Sequence, residues 1–185
     1  MTATPFSICV FCGSRAGARP IYKADALALG QVIAKEGWRL VYGAGDVGLM
    51  GAVADAANDN GADTFGVIPI HLVNTEKRKA GLGRSIVTEN MHERKKVMYM
   101  NSDAIVVLPG GAGSLDELFE VLTWRQLGLH EKPIFLLNSE GYWNPLLALI
   151  DNVITEGFAE DTIKGYVSAF DTVDELAEAL RAARS

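Results

Sequence analysis

Glu117 stands three residues after the run Pro109-Gly110-Gly111-Ala112-Gly113-Ser114. A carboxylate beside a glycine-rich turn can act as acid, base or charge stabiliser next to a bound anion. Two further glycine turns occur, at Cys12-Gly13-Ser14 and at Gly43-Ala44-Gly45-Asp46-Val47-Gly48, each after a short apolar run. Glycine lets the backbone approach an anion closely, and the N–H groups that open the following helix point at it. Three such strand ends in one small chain point to a phosphorylated ligand lying across them. The middle turn matches the dinucleotide fingerprint in form, but the acid required at the end of the next strand is replaced by Val67-Ile68-Pro69, and Asp63 comes too early. No Gly-Lys-Ser or Gly-Lys-Thr follows any glycine run, which excludes a P-loop. Ser114-Leu115-Asp116-Glu117 also has the form of a capping box, in which Ser114 and Glu117 do no more than start a helix. Against that, the expected core stripe Leu115, Leu118, Phe119 and Leu122 leaves Glu117 off the buried face.

A second group of candidates lies on Met91-His92-Glu93-Arg94-Lys95-Lys96-Val97-Met98, which reads as a helix. Arg94 is flanked at helical spacing by Met91 and Met98, with Lys95 on the same broad face. A guanidinium among methionines either snorkels to water or needs a buried partner. Here that partner would be a phosphate, a ribose hydroxyl or Glu117. The three histidines, His71, His92 and His130, are not paired at ligand spacing, so no metal site is expected. Cys9 and Cys12 form C-x-x-C within a strand, where residues three apart face opposite sides, and both read as small core residues.

The elements that must position these groups alternate along the chain. Strands are expected at Phe6–Cys12, Trp38–Tyr42, Thr64–Ile68, Ala104–Leu108, Ile134–Leu137 and Tyr166–Ala169, as unbroken apolar runs suited to parallel strands covered on both faces. Between them, Ile21, Ala24, Leu27, Ala28 and Val32 mark one helical stripe. A closing helix opens on the capping box Thr172-Val173-Asp174-Glu175 and buries Val173, Leu176, Ala177 and Leu180. The pattern predicts a Rossmann-like α/β domain spanning residues 1–185, a doubly wound and mostly parallel sheet with helices on both faces. Ligands in such a sheet bind beyond the carboxyl ends of the strands. From His71 to Thr88 a long polar excursion reads as a loop or a lid. The 185 residues are 49% hydrophobic and 22% charged with a net charge of −6, enough for a full core and contrary to a basic nucleic-acid surface. No apolar run reaches the ~18 residues of a membrane span, and no basic region followed by an apolar stretch opens the chain, so a cytoplasmic protein is expected.

These residues carry a family resemblance. Val41-Tyr42-Gly43-Ala44-Gly45 running to Gly48-Leu49-Met50-Gly51, Met91-His92-Glu93-Arg94-Lys95, and Pro109 through Glu117 resemble the signature blocks of the Lonely Guy (LOG) family. Thr123-Trp124-Arg125-Gln126-Leu127-Gly128 and His130-Glu131-Lys132-Pro133 extend the match to most of the chain. The resemblance implies hydrolysis of the N-glycosidic bond of cytokinin riboside 5′-monophosphates and often of AMP, giving free base and ribose 5-phosphate without a cofactor. It implies Arg94 and Glu117 as the catalytic pair; for a bond whose breaking leaves positive charge on the ribose, Arg94 is expected to hold Glu117 ionised. Lys95 and Gly111 to Ser114 would contact phosphate and ribose, and Glu76 and Thr123 would line the substrate site. Gly13, Ser14 and Gly45 on the other glycine turns, with Met91, Gly110, Leu115 and Asp116, complete the expected binding set. Two departures from the family pattern are Ser114 for the usual threonine, which keeps the hydroxyl, and Ala44 for the usual middle glycine, which narrows the middle loop.

Two other activities fit parts of the sequence. A pyridoxal-phosphate lysine decarboxylase would need Lys95 as its Schiff-base lysine. A binding module without catalysis, like the molybdenum cofactor carriers, would need no carboxylate beside the cradle. Trp124, Leu127 and Leu129 extend apolar character beyond the core stripe and predict a helix-mediated homodimer, with Arg125 reaching toward the partner's ligand.

Overall fold

The structure, a computed structural model, describes residues 5–73 and 84–184. Among these are seven strands: β1 Ser7–Phe11, β2 Arg39–Tyr42, β3 Asp63–Pro69, β4 Arg84–Thr88, β5 Ala104–Val107, β6 Ile134–Leu137 and β7 Val167–Phe170. The α-helices are α1 Pro20–Lys35, α2 Gly48–Asp59, α3 Met91–Met100, α4 Ala112–Gln126, α5 Asn144–Thr155 and α6 Val173–Arg184. The sheet order is β4-β3-β2-β1-β5-β6-β7, and every neighbouring pair is parallel.

The apolar strands bury side chains on both faces, as their unbroken hydrophobic runs require. Ile8, Val10, Leu40, Val106 and Leu137 join α1, α2 and α6 on one face. Cys9, Phe11, Val41, Val107 and Leu136 join α3, α4 and α5 on the other. Cys9 and Cys12 are both buried free thiols in opposite layers, so the C-x-x-C is core. Each fully buried Leu, Ile or Phe contributes about 1.5–3 kcal/mol, so the strand ends sit on a rigid platform.

Three local expectations change. The excursion from His71 to Thr88 contains β4, an edge strand with Ile86 42% and Val87 47% exposed. Its polar, half-exposed sequence hides it from a search for buried strands. The buried stripe of α1 is Tyr22, Ala26, Leu29, Gly30 and Ile33, one to two positions on from the expected one, whose Ile21, Leu27, Ala28 and Val32 are partly buried against the same core. That helix is apolar on most of its circumference, so periodicity alone does not select the face. On α4, Leu118, Val121 and Leu122 are buried, whereas Phe119 is 39% exposed. The capping box of α6 does form: Glu175 N–H donates to Thr172 Oγ1 at 3.3 Å and Thr172 N–H to Glu175 Oε2 at 3.2 Å.

Strands are added outward from β1 in one direction to β4, then outward from β5 to β7 on the other side. The chain leaves β1 toward α1 on one face and β5 toward α4 on the other. Two loops that diverge to opposite faces leave a crevice between them, the position where open parallel sheets bind ligands.

Candidate active site

The crevice at the β1–β5 switch is a cavity of about 480 Å³, within the ~300–1,000 Å³ range of small-molecule sites. Its floor is tied together by backbone bonds. Gly13 N–H donates to Pro109 O at 3.0 Å, joining the loops after β1 and β5, and Leu49 N–H donates to Gly13 O at 3.0 Å, joining the first turn of α2. Gly110 permits this approach, since a Cβ there would collide with Ser114 Oγ. Tyr142, in the turn after β6, donates its hydroxyl proton to Gly110 O at 2.5 Å and stacks edge-on against Tyr22 at 5.5 Å.

The start of α4 departs from the capping-box expectation. The helix begins at Ala112 with Gly111 as its N-cap, and no side chain caps it. Ser114 is therefore a buried residue inside the first turn, not the cap. Gly111, Ala112, Gly113 and Ser114 all line the cavity. The first amides of a helix have no intrahelical acceptor and carry the positive end of its dipole. Left without a side-chain cap, they suit an anion.

Glu117 lies one turn further along α4 and also lines the cavity. Burial pushes its carboxyl up to about 7, with Asp116 and Glu120 acting in the same direction. Arg94 and Lys95 pull it down without overcoming burial. Arg94 therefore does not hold Glu117 fully ionised at neutral pH.

Arg94 is buried and does not snorkel. Its Nε donates to Val67 O at 3.1 Å and its Nη2 to Gly43 O at 2.6 Å, which fixes the guanidinium to the ends of β3 and β2. A Cβ at Gly43 would collide with Nη2, so a larger residue there would displace the guanidinium. Nη1 meets Met91 Sδ at 3.8 Å, a weak acceptor, so this nitrogen keeps donor capacity at the cavity wall.

The other expected residues divide. Gly13, Ser14, Met91, Gly110 and Gly111–Ser114 are brought together with Arg94 and Glu117. Lys95 is not: its ammonium pairs with Asp116 and Glu120, each at 2.9 Å, and so links α3 to α4. Burial opposes its charge, but the two carboxylates hold its pKa above the ordinary value. That pairing also occupies Asp116, while Leu115 packs into the core and Thr123 stands exposed three turns along α4. Gly45 is buried, with its N–H on Met50 Sδ at 3.2 Å. Glu76 lies outside the described residues. Arg125 Nη1 donates to Lys132 O at 2.9 Å and to Tyr166 O at 3.1 Å within its own chain. Ala44 adopts a left-handed φ of 60°, a conformation that costs an L-residue about 1–2 kcal/mol. Its buried methyl faces Gly66 rather than the cavity, so it does not narrow the site. Arg15, Tyr22, Met50 and Tyr142 line the cavity without having been expected. A strand–glycine–helix search could have pointed to Arg15 by its closeness to Gly13, but nothing local marks Tyr142.

A family model described as "Possible lysine decarboxylase" matches residues 50–180. A probable cytokinin riboside 5′-monophosphate phosphoribohydrolase of Oryza sativa subsp. japonica is 47% identical over 169 residues, covering 91% of this chain and 76% of that protein. A cytokinin riboside 5′-monophosphate phosphoribohydrolase of Arabidopsis thaliana is 43% identical over 173 residues, covering 94% of this chain and 80% of that protein. Among solved structures, the molybdenum cofactor binding protein of Rippkaea orientalis superposes with a TM-score of 0.76 at 24% identity, over 100% of both chains. A Moco carrier protein of Chlamydomonas reinhardtii gives 0.74 at 22% identity over 97% of both. At such identities the likeness extends to the fold alone.

Proposed function

The chain belongs to the Lonely Guy (LOG) family, and from that membership and the cavity we propose that it hydrolyses cytokinin riboside 5′-monophosphates and AMP to free base and ribose 5-phosphate. The observation that carries the proposal is the placement of Glu117 in the same cavity as the uncapped first turn of α4. In this reading the 5′-phosphate sits on the amides from Gly111 to Ser114, which sets the ribose against Glu117 and Arg94. Breaking the C1′–N bond sends the bonding electrons to the base and leaves positive charge on the ribose. The Glu117 carboxylate answers that charge and takes a proton as water adds to C1′. The departing base takes up one proton, which balances the one released by water. A carboxyl with affinity near neutrality is suited to pass it on. Arg94, fixed by two carbonyls, offers Nη1 to the ribose or phosphate.

The test is incubation with AMP, with isopentenyladenosine monophosphate and with the matching nucleosides, reading free base. Both monophosphates are expected to be cleaved and the nucleosides to remain, because phosphate binding energy is spent on the transition state. Equal turnover of adenosine and AMP would overturn the phosphate assignment. A decarboxylase has little support in this geometry. Lys95 is committed to two carboxylates, and among the described residues no lysine lines the cavity.

The assembly we propose is a two-fold dimer. Leu127 and Leu129, just past the end of α4, are 67% and 66% exposed, and Phe119 on α4 is 39% exposed. Trp124 instead packs inward, edge-on to Tyr99 at 5.1 Å. Light scattering is expected to give twice the 19.9 kDa of the chain, and a monomer at working concentrations would exclude the dimer.

A further inference from the structure

Arg15 is a cavity-lining cation whose charge the fold leaves unspent. It is exposed, in the loop between β1 and α1. Gly13, two residues before it, is fixed at both its N–H and its carbonyl by Pro109 and Leu49. Among the described residues, its side chain makes no hydrogen bond or ion pair. Of the neighbouring cations, Arg19 pairs with Glu140 at 3.1 Å and Lys95 is held by Asp116 and Glu120, while Arg94, pinned by two nitrogens to carbonyls, keeps only Nη1 for the cavity. The chain has a net charge of −6, and Glu117 stands in the same cavity. A phosphate dianion entering there is not matched by the ~0.5 elementary charge of one helix terminus together with the single charge of Arg94.

We propose that Arg15 is the substrate's phosphate-charge ligand, engaging phosphate oxygens from the β1 side of the crevice while the first turn of α4 holds them from the β5 side. The inference rests on the nucleotide reading above and adds the residue that makes a phosphorylated substrate preferable to an unphosphorylated one. A guanidinium presents paired donors matched to two phosphate oxygens, which an ammonium cannot reproduce.

The experiment compares wild type with Arg15→Ala and Arg15→Lys in AMP kinetics and in calorimetric binding of ribose 5-phosphate at two salt concentrations. A lost charged hydrogen bond corresponds to a ~10–100-fold weakening. Arg15→Ala is therefore expected to raise KM for AMP and Kd for ribose 5-phosphate by about that factor, with Arg15→Lys between it and wild type. The salt dependence of binding is expected to flatten in Arg15→Ala, because one screened ionic contact is gone. Melting temperature is expected to stay at the wild-type value, since the side chain supports nothing else described. Wild-type KM and Kd in Arg15→Ala would overturn the assignment. If wild type leaves AMP intact yet binds ribose 5-phosphate through Arg15, the hydrolase reading fails and the anion ligand stands.

Discussion

Glu117→Gln is expected to lower kcat for AMP by at least ~10²-fold, the scale of losing a positioned acid–base group, while AMP binding is largely kept. The same substitution is expected to raise stability at alkaline pH. Burial has displaced the carboxyl from 4.5 to about 7, so between those values the folded chain binds the proton more tightly than the unfolded chain does. Wild-type stability therefore falls as pH rises through that window and stays lowered above it. The displacement sets an upper limit of about 3 kcal/mol, and the side chain's partial exposure reduces it to about 1–2 kcal/mol. Gln carries no such penalty. Glu117→Gln is thus expected to melt higher than wild type at pH 8 by a few degrees, at ~2–4 °C per kcal/mol, with the gap closing toward pH 5. For wild type, kcat/KM is expected to rise with pH through about 7 as the carboxylate forms. A helix-capping Glu117 would give the reverse result: a variant that melts lower at every pH and turns AMP over at the wild-type rate.

Arg94 has a structural and a chemical duty, and two substitutions separate them. Arg94→Ala strands the carbonyls of Val67 and Gly43 in a buried site and is expected to cost about 2–4 kcal/mol, which lowers the melting temperature by ~5–15 °C. Arg94→Lys keeps a cation but cannot reproduce the planar fork that spans both carbonyls. It is expected to fold, and to lose at least ~10-fold in kcat/KM. A further readout lies outside stability. Arg94 draws the Glu117 pKa down, so in Arg94→Ala the midpoint of the kcat/KM profile is expected to move above its wild-type position. A purely structural arginine would change the melting temperature and leave that midpoint in place. Unchanged KM, midpoint and melting temperature together would remove Arg94 from the site.

How much of this was legible in the sequence depends on the range over which each feature is encoded. Alternating apolar runs and helical stripes are local, and they determined the parallel α/β architecture, the two-sided core, the opposed Cys9 and Cys12 and the box that caps α6. The glycine strand ends and the Met91–Lys95 and Pro109–Glu117 blocks are local too, and they placed the chain in its family. Two nearly identical Ser/Thr-x-x-Glu patterns had different outcomes, however. The one at Thr172 caps its helix, whereas the one at Ser114 lies inside a helix that begins at Ala112, because Gly111 takes the N-cap. Only the tertiary structure decided that Arg94 is spent on carbonyls 27 and 51 positions away, that Lys95 serves α4 rather than the cavity, and that Tyr142 reaches Gly110 across 32 positions. It also decided the Glu117 proton affinity, which is set by how far neighbouring elements exclude water from one carboxyl. Such partners meet by strand order and crossover, and burial depends on every layer packed above the residue. Neither quantity has a period or a spacing along the chain.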